Sequence, residues 1–149
     1  MKKILAFVLA AIMMLTLLAG CSDTKAEGEK KEGLENFKIG FIFLHDENST
    51  YDKNFIDAAK TACANLGLTD DQVLMKTNIP ESNECYEAAL DLADRGCNIV
   101  FADSFGHEPF MAQAAEKYPD VQFCHATGTT AHTAGIKNLH NAFASIYEG

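Results

Sequence analysis

Two short stretches of this 149-residue chain gather side chains suited to holding a small polar molecule. The first, residues 45–54 (HDENSTYDKN), contains Asp46, Tyr51 and Asn54. The Asp46 carboxylate accepts hydrogen bonds, the Tyr51 ring offers a flat apolar face, and the Asn54 amide is donor and acceptor at once. The second, residues 104–107 (SFGH), sets the Ser104 hydroxyl beside the Phe105 ring, with Gly106 permitting a turn that a side chain would block. Each residue also has a purely structural use: Tyr51 as a packed helix-start aromatic, Asn54 as an exposed polar residue, Asp46 as a loop cap, Ser104 and Phe105 as turn and core. Bond-making chemistry is harder to place. The chain has no G-x-S-x-G, no Walker-type phosphate loop and no G-x-G-x-x-G after its first strand. Cys124 and His125 are neighbours on a predicted strand, so they point to opposite faces and make a poor dyad. His45, His107 and His125 lie near predicted strand ends without metal-ligand spacing, and no C-x-x-C or H-x-x-x-H pair occurs. The sequence reads as a binding protein without metal or cofactor, not an enzyme.

The elements that position these segments follow from hydrophobic pattern. Residues 37–44 (FKIGFIFL) form an apolar, β-branched and aromatic run typical of a strand buried on both faces. The polar loop 45–50 leads into a helix over 51–66, with Phe55, Ala59, Ala62 and Leu66 on one face and Gly67 as the stop. The alternation repeats: strand 72–77; helix 81–95, with Cys85, Ala89 and Leu92 inward; strand 98–103; helix 108–118, ended before Pro119; strand 121–125. Residues 135–139 are a short fifth strand, and residues 141–148 begin a further helix. Strands alternating with helices of this length make an α/β fold with a doubly wound parallel sheet, of expected order 2-1-3-4-5. Ligands of such sheets sit beyond the carboxyl ends of the strands, which selects the loops at 45–50, 104–107 and 126–130.

The N-terminus is separate from this domain. Lys2 and Lys3 precede an apolar run from Ile4 to Leu18, and Leu18-Ala19-Gly20-Cys21 closes it. The run is short for a membrane span, and the tetrad is similar to a lipobox, which implies cleavage before Cys21 and lipidation of its sulfur. Residues 1–20 are therefore a lipoprotein signal peptide. Residues 21–36, charged and nearly free of large apolar groups, are a lipidated flexible tether, and the domain occupies 37–149. The chain carries −9 and the signal two lysines and no acid, so the mature part carries −11. That charge disfavours nucleic acid and anionic lipid head groups as partners. Cys63, Cys85, Cys97 and Cys124 have none of the close spacing of a disulfide framework and read as buried thiols, although an exported protein permits pairing.

Taken in order, KIGFIF, STYDKNF, NIVFADSFGH, AEKYPDVQFCHATG and NAFASIYEG resemble the basic membrane protein family from about Phe37 to the last residue. These are lipoprotein substrate-binding components of ABC importers, purine-nucleoside receptors among them. The resemblance implies a type I periplasmic-binding-protein fold of two lobes closing on a ligand. It makes this chain the N-terminal lobe, with the second lobe missing. It also implies an extracytoplasmic place on the cell membrane, an ABC permease as partner, and a purine nucleoside or base as ligand. Relatives carry a pattern like W-T-Y-x-x-N; here Thr50, Tyr51 and Asn54 match, and Ser49 stands in place of Trp. The implied ligand contacts are Asp46, Thr50, Tyr51, Asn54, Ser104 and Phe105, with residues 125–128 as cleft rim. A sensor lipoprotein of the same fold and a receptor for another metabolite such as a sugar are the alternatives.

Overall fold

The structure, a computed structural model, describes residues 33–142. The expected signal peptide, Cys21, most of the tether and the helix expected beyond Ala142 lie outside the described residues. Among the described residues, strands and α-helices alternate: β1 (Ile39–Ile42), α1 (Thr50–Asn65), β2 (Val73–Lys76), α2 (Asn83–Asp94), β3 (Ile99–Ala102), α3 (Glu108–Lys117), β4 (Gln122–His125), α4 (Thr130–Thr133) and β5 (Leu139–Asn141). The strands form one sheet in the order β2-β1-β3-β4-β5, the expected order. All pairings are parallel, with Phe41 opposite Met75 and Phe101, and Phe101 opposite Cys124.

Every residue of β1 is buried, as a central strand between two covered faces requires. Its alternate side chains feed two cores. Ile42 joins Leu92, Val100, Met111, Phe123 and Leu139 beneath α2 and α3. Ile39, Phe41 and Phe43 join Ile56, Ala59 and Cys63 of α1. The Phe41 ring stacks on Phe43 at 6.0 Å and on Phe101 at 5.6 Å. Gly40 faces α2, and a Cβ there would stand 2.9 Å from Leu92 Cδ1; glycine lets the helix lie directly on the strand. Next to α1 an apolar groove of about 380 Å³ remains open, lined in part by Phe41, Phe55, Ala62, Leu66 and Phe101.

Several elements differ from the sequence expectation. α1 buries Asp52, Ile56, Ala59 and Cys63, so its inward face is turned by about one residue from the expected one. Phe55 and Leu66 are only half-buried and Ala62 is exposed. β5 begins at Leu139, where residues 135–139 were expected to be strand. Gly135 has φ +68, which extended backbone does not allow, and the preceding residues form the short α4. Asn141, expected to open a helix, ends β5. Gln72, expected in the second strand, lies in a 3-10 turn, buried. Its Nε2 donates to the Leu34 and Phe37 carbonyls, which ties the chain to the domain three residues before Phe37. The four cysteines of the domain are free and buried.

Candidate functional site

β1 and β3 are neighbours, so the loops that follow them share one edge of the sheet. Among the described residues, the only large apolar side chains left exposed are Tyr51, at 48%, and Phe105, at 66%, and both belong to these loops or the helix turn beside them. Exposed aromatics at the carboxyl ends of adjacent parallel strands stand where α/β sheets hold ligands. Tyr51 is fixed at both ends. Its hydroxyl donates to the Asp103 carbonyl at 3.0 Å, and its ring lies 5.0 Å from Phe55.

The start of α1 is held by Ser49, the N-cap, whose Oγ accepts from the Asp52 N–H. The buried Asp52 carboxylate accepts from the Ser49 hydroxyl, from His45 N–H at 2.8 Å and from the His45 ring Nδ1 at 3.0 Å. Burial opposes its ionisation, but the hydrogen bonds from Ser49 and His45 outweigh it and hold the carboxyl at about 2. Sequence reasoning passed over Asp52, because an acid in the first turn of a helix ordinarily points to solvent.

Of the residues expected to touch ligand, Asp46 is used within its own loop: its Oδ1 accepts from the Asn48 N–H and side-chain amide, both at 2.9 Å. Those two bonds lower its pKa. Asn54 is exposed and returns its amide to the Thr50 carbonyl at 2.9 Å; Thr50 is exposed too. Ser104 is buried, and its hydroxyl donates to Glu81 Oε1. The Ser104 carbonyl lies 2.6 Å from His125 Nε2, so the rim segment at residue 125 braces the Ser104 turn. Tyr51 and Phe105 are thus each exposed, on the segments that follow the neighbouring strands β1 and β3. Asp46 and Ser104 are engaged by protein partners, and Asn54 lies on the outer side of α1.

Glu81 was missed as a site residue. It stands at the carboxyl end of β2, two residues ahead of α2, and 23 residues separate it from Ser104 in sequence. Its Oε1 accepts from both the Ser104 hydroxyl and the Gly106 N–H, the latter at 2.8 Å. Those two donors lower its pKa, so the carboxylate is charged at the exposed edge beside Phe105. A Cβ at residue 106 would fall within 2.4 Å of the Glu81 carboxyl carbon, so a side chain there would push the Glu81 carboxylate out of its place on the turn. In the sequence Glu81 stood only as the first residue of a predicted helix over 81–95; α2 instead begins at Asn83, which leaves Glu81 in the connection after β2.

The arrangement offers two exposed aromatic rings and a carboxylate, groups whose chemistry suits a flat molecule bearing N–H or O–H donors. The thiols are poor nucleophiles: burial raises Cys124 and pushes Cys85 up to about 12. The strand-end histidines are spent on protein partners, His107 Nε2 lying 2.9 Å from the Ile79 carbonyl. Burial lowers the pKa of His107 and of His125, so both are neutral near pH 7.

No protein-family model matches the chain. A purine-binding protein of Brucella abortus is 31% identical over 118 residues, which covers 77% of this chain and 32% of that protein. An ABC transporter solute-binding protein from Conexibacter woesei superimposes with a TM-score of 0.61 at 16% identity, over 72% of this chain and 35% of that one. A protein from Bacillus halodurans described as a transcriptional activator of the comK gene superimposes with a TM-score of 0.56 at 17% identity, over 70% and 33%. The chain therefore spans about a third of the length of each of these proteins. Its sheet and helices have a type I periplasmic-binding-protein-like α/β fold, matching about a third of an ABC solute-binding protein.

Proposed function

We propose that this chain supplies the N-terminal lobe of an extracytoplasmic substrate-binding lipoprotein. It would be tethered through Cys21, would capture a purine nucleoside or base, and would hand it to an ABC permease. The observation that carries this reading is the pair of exposed aromatics, Tyr51 and Phe105, at the carboxyl ends of adjacent strands. The similarity to a purine-binding protein of Brucella abortus supports the ligand class. In this reading Tyr51 and Phe105 hold the base by its faces. Glu81, positioned by Ser104 and Gly106, accepts from an amino group or a ribose hydroxyl. Asn54 and Thr50 contribute from the outer rim, and Asp46 shapes the loop that admits the ligand. The domain beyond Gly149 would close over the other side, as hinge-closing receptors do.

Calorimetric titration of adenosine and inosine into the parent, Tyr51→Ala and Phe105→Ala proteins tests this. Loss of one stacking face should weaken binding about two- to tenfold beyond the effect of lost burial. Equal affinity in all three proteins, or tighter binding of a sugar than of any purine, would contradict the reading.

A further inference from the structure

Beneath the candidate site three hydrogen-bond acceptors meet with no donor among them. Asp103 is buried; its Oδ1 accepts the Leu44 N–H at 3.1 Å, and its Oδ2 has no partner. Asp52, also buried, takes the very next amide, the His45 N–H, at 2.8 Å. Two consecutive residues thus anchor both carboxyl groups at one bend of the chain, and the two carboxyl groups interact with each other. The third acceptor is His107. Its Nε2 faces the Ile79 carbonyl, which can only accept, so the ring proton sits on Nε2 and the unpartnered Nδ1 is bare. That Nδ1 is 3.9 Å from Asp103 Oδ1, too far for a hydrogen bond.

The remaining ionisable groups around the pair leave Oδ2 unpaired as well. Tyr51 donates to the Asp103 main-chain carbonyl, and His45 lies on Asp52. Cys85 sits on the α2 side, its thiol neutral, with its Sγ 4.0 Å from the His107 carbonyl. Glu81 is bonded to Ser104 and Gly106, and His125 to the Ser104 carbonyl.

We propose that Asp103 carries a proton that it shares with Asp52, and that this O–H···O contact is the clasp that positions Tyr51 and the turn at residues 104–106 for ligand. Two ionised carboxylates in contact cannot both stay buried, whereas an acid donating to a carboxylate satisfies Oδ2 and leaves one charge. Burial, then the hydrogen bond and the charge of Asp52, raise the Asp103 carboxyl to about 7, while Asp52 is held at about 2. The proton therefore resides on Asp103. The clasp joins the loop after β1, the first turn of α1 and the segment after β3, which are the three pieces that carry Tyr51, Phe105 and Glu81's partners. The positioning role rests on the receptor reading above; the shared proton does not. Asp103 is a positioning residue, since it acts on ligand through Tyr51 and Ser104.

The test uses the full chain with carboxyl-labelled aspartate, observed by isotope-edited infrared spectroscopy between pH 5.5 and 9. A protonated aspartic-acid band should be present at pH 5.5, fade with a midpoint near 7, and be absent at every pH in Asp103→Asn. The asparagine keeps an oxygen for Leu44 N–H and donates its amide to Asp52, so its clasp is permanent. The Tyr51 ring resonances, assigned by their loss in Tyr51→Phe, should shift with the same midpoint in the parent and stay constant in Asp103→Asn. Absence of the band at pH 5.5, or its survival in Asp103→Asn, overturns the shared proton. If Asp103→Asn does not fold, the parent alone decides: a Tyr51 shift with the band's midpoint supports the clasp, and a Tyr51 signal indifferent to it overturns the clasp. Nucleoside titration is a separate arm. Affinity that falls in step with the band supports the positioning role, and affinity unchanged while the band disappears refutes it. A protein that shows the band but binds no purine at any pH sinks the receptor reading and the positioning role, and leaves the shared proton standing.

Discussion

Replacing Asp52 with alanine removes the hub of the first turn of α1. The buried carboxylate accepts from the His45 N–H, the His45 ring and the Ser49 hydroxyl. Without it the His45 N–H, part-buried at the base of the loop, loses its partner, at a cost of about 1–3 kcal/mol. The hydroxyl and ring bonds go to a charged acceptor, the stronger kind, but the His45 side chain is 58% exposed and water replaces much of its share. The sum for Asp52→Ala is about 2–4 kcal/mol at pH 7. The pH dependence has a definite sign. The folded carboxyl is held at about 2 against an ordinary 3.8, so its contribution is complete above about pH 4 and vanishes as the pH falls through 2. That shift is worth about 2 kcal/mol, so the difference between parent and variant should shrink by roughly that amount between pH 6 and pH 2. Urea unfolding of both proteins across that range measures it. A difference below about 1 kcal/mol at pH 6, or one that does not shrink in acid, would refute the hub.

Three further outcomes follow from the packing. Ile56→Ala should destabilise by about 2–5 kcal/mol in urea unfolding, because its side chain is fully buried against β1. Asn138→Ala should cost about 1–3 kcal/mol by the same assay, because its buried amide donates to the carbonyls of Ala115, Tyr118 and Val121 at 2.8–3.0 Å. The thiols of Cys63, Cys85, Cys97 and Cys124, all buried and all raised by burial, should react with a thiol reagent at neutral pH only after unfolding, which a stopped reaction with and without denaturant reads directly.

The sheet was legible because its strands are short apolar runs punctuated by glycine and polar loops, and βαβ handedness leaves few orders for them. The inward face of α2 was legible for the same reason: Cys85, Ala89 and Leu92 are buried, together with Ala88 and Ala93. The face of α1 was placed about one residue off: Ala59 is buried as expected, but Phe55 and Leu66 border the open groove, and Ile56 and Cys63 pack inward in their place. The fifth strand was misplaced because no apolar run marks it; pairing of Leu139 with Phe123, and of Asn141 with His125, sets its register instead. That Tyr51 and Phe105 lie beside strand ends could be read from the sequence. Glu81, Asp52 and Asp103 could not, since their partners come from other segments: Ser104 for Glu81, and for the two aspartates the consecutive amides of Leu44 and His45.

The most direct test of the central claim is an amide chemical-shift map of the uniformly labelled chain titrated with adenosine. Because it registers weak binding, it applies to this chain as it stands. The largest shifts should cluster at Tyr51, Glu81, Phe105 and Gly106, on the segments that follow β1, β2 and β3. Shifts confined to the groove beside α1, around Phe41, Leu66 and Phe101, or no shifts with any purine nucleoside at millimolar concentration, would contradict it.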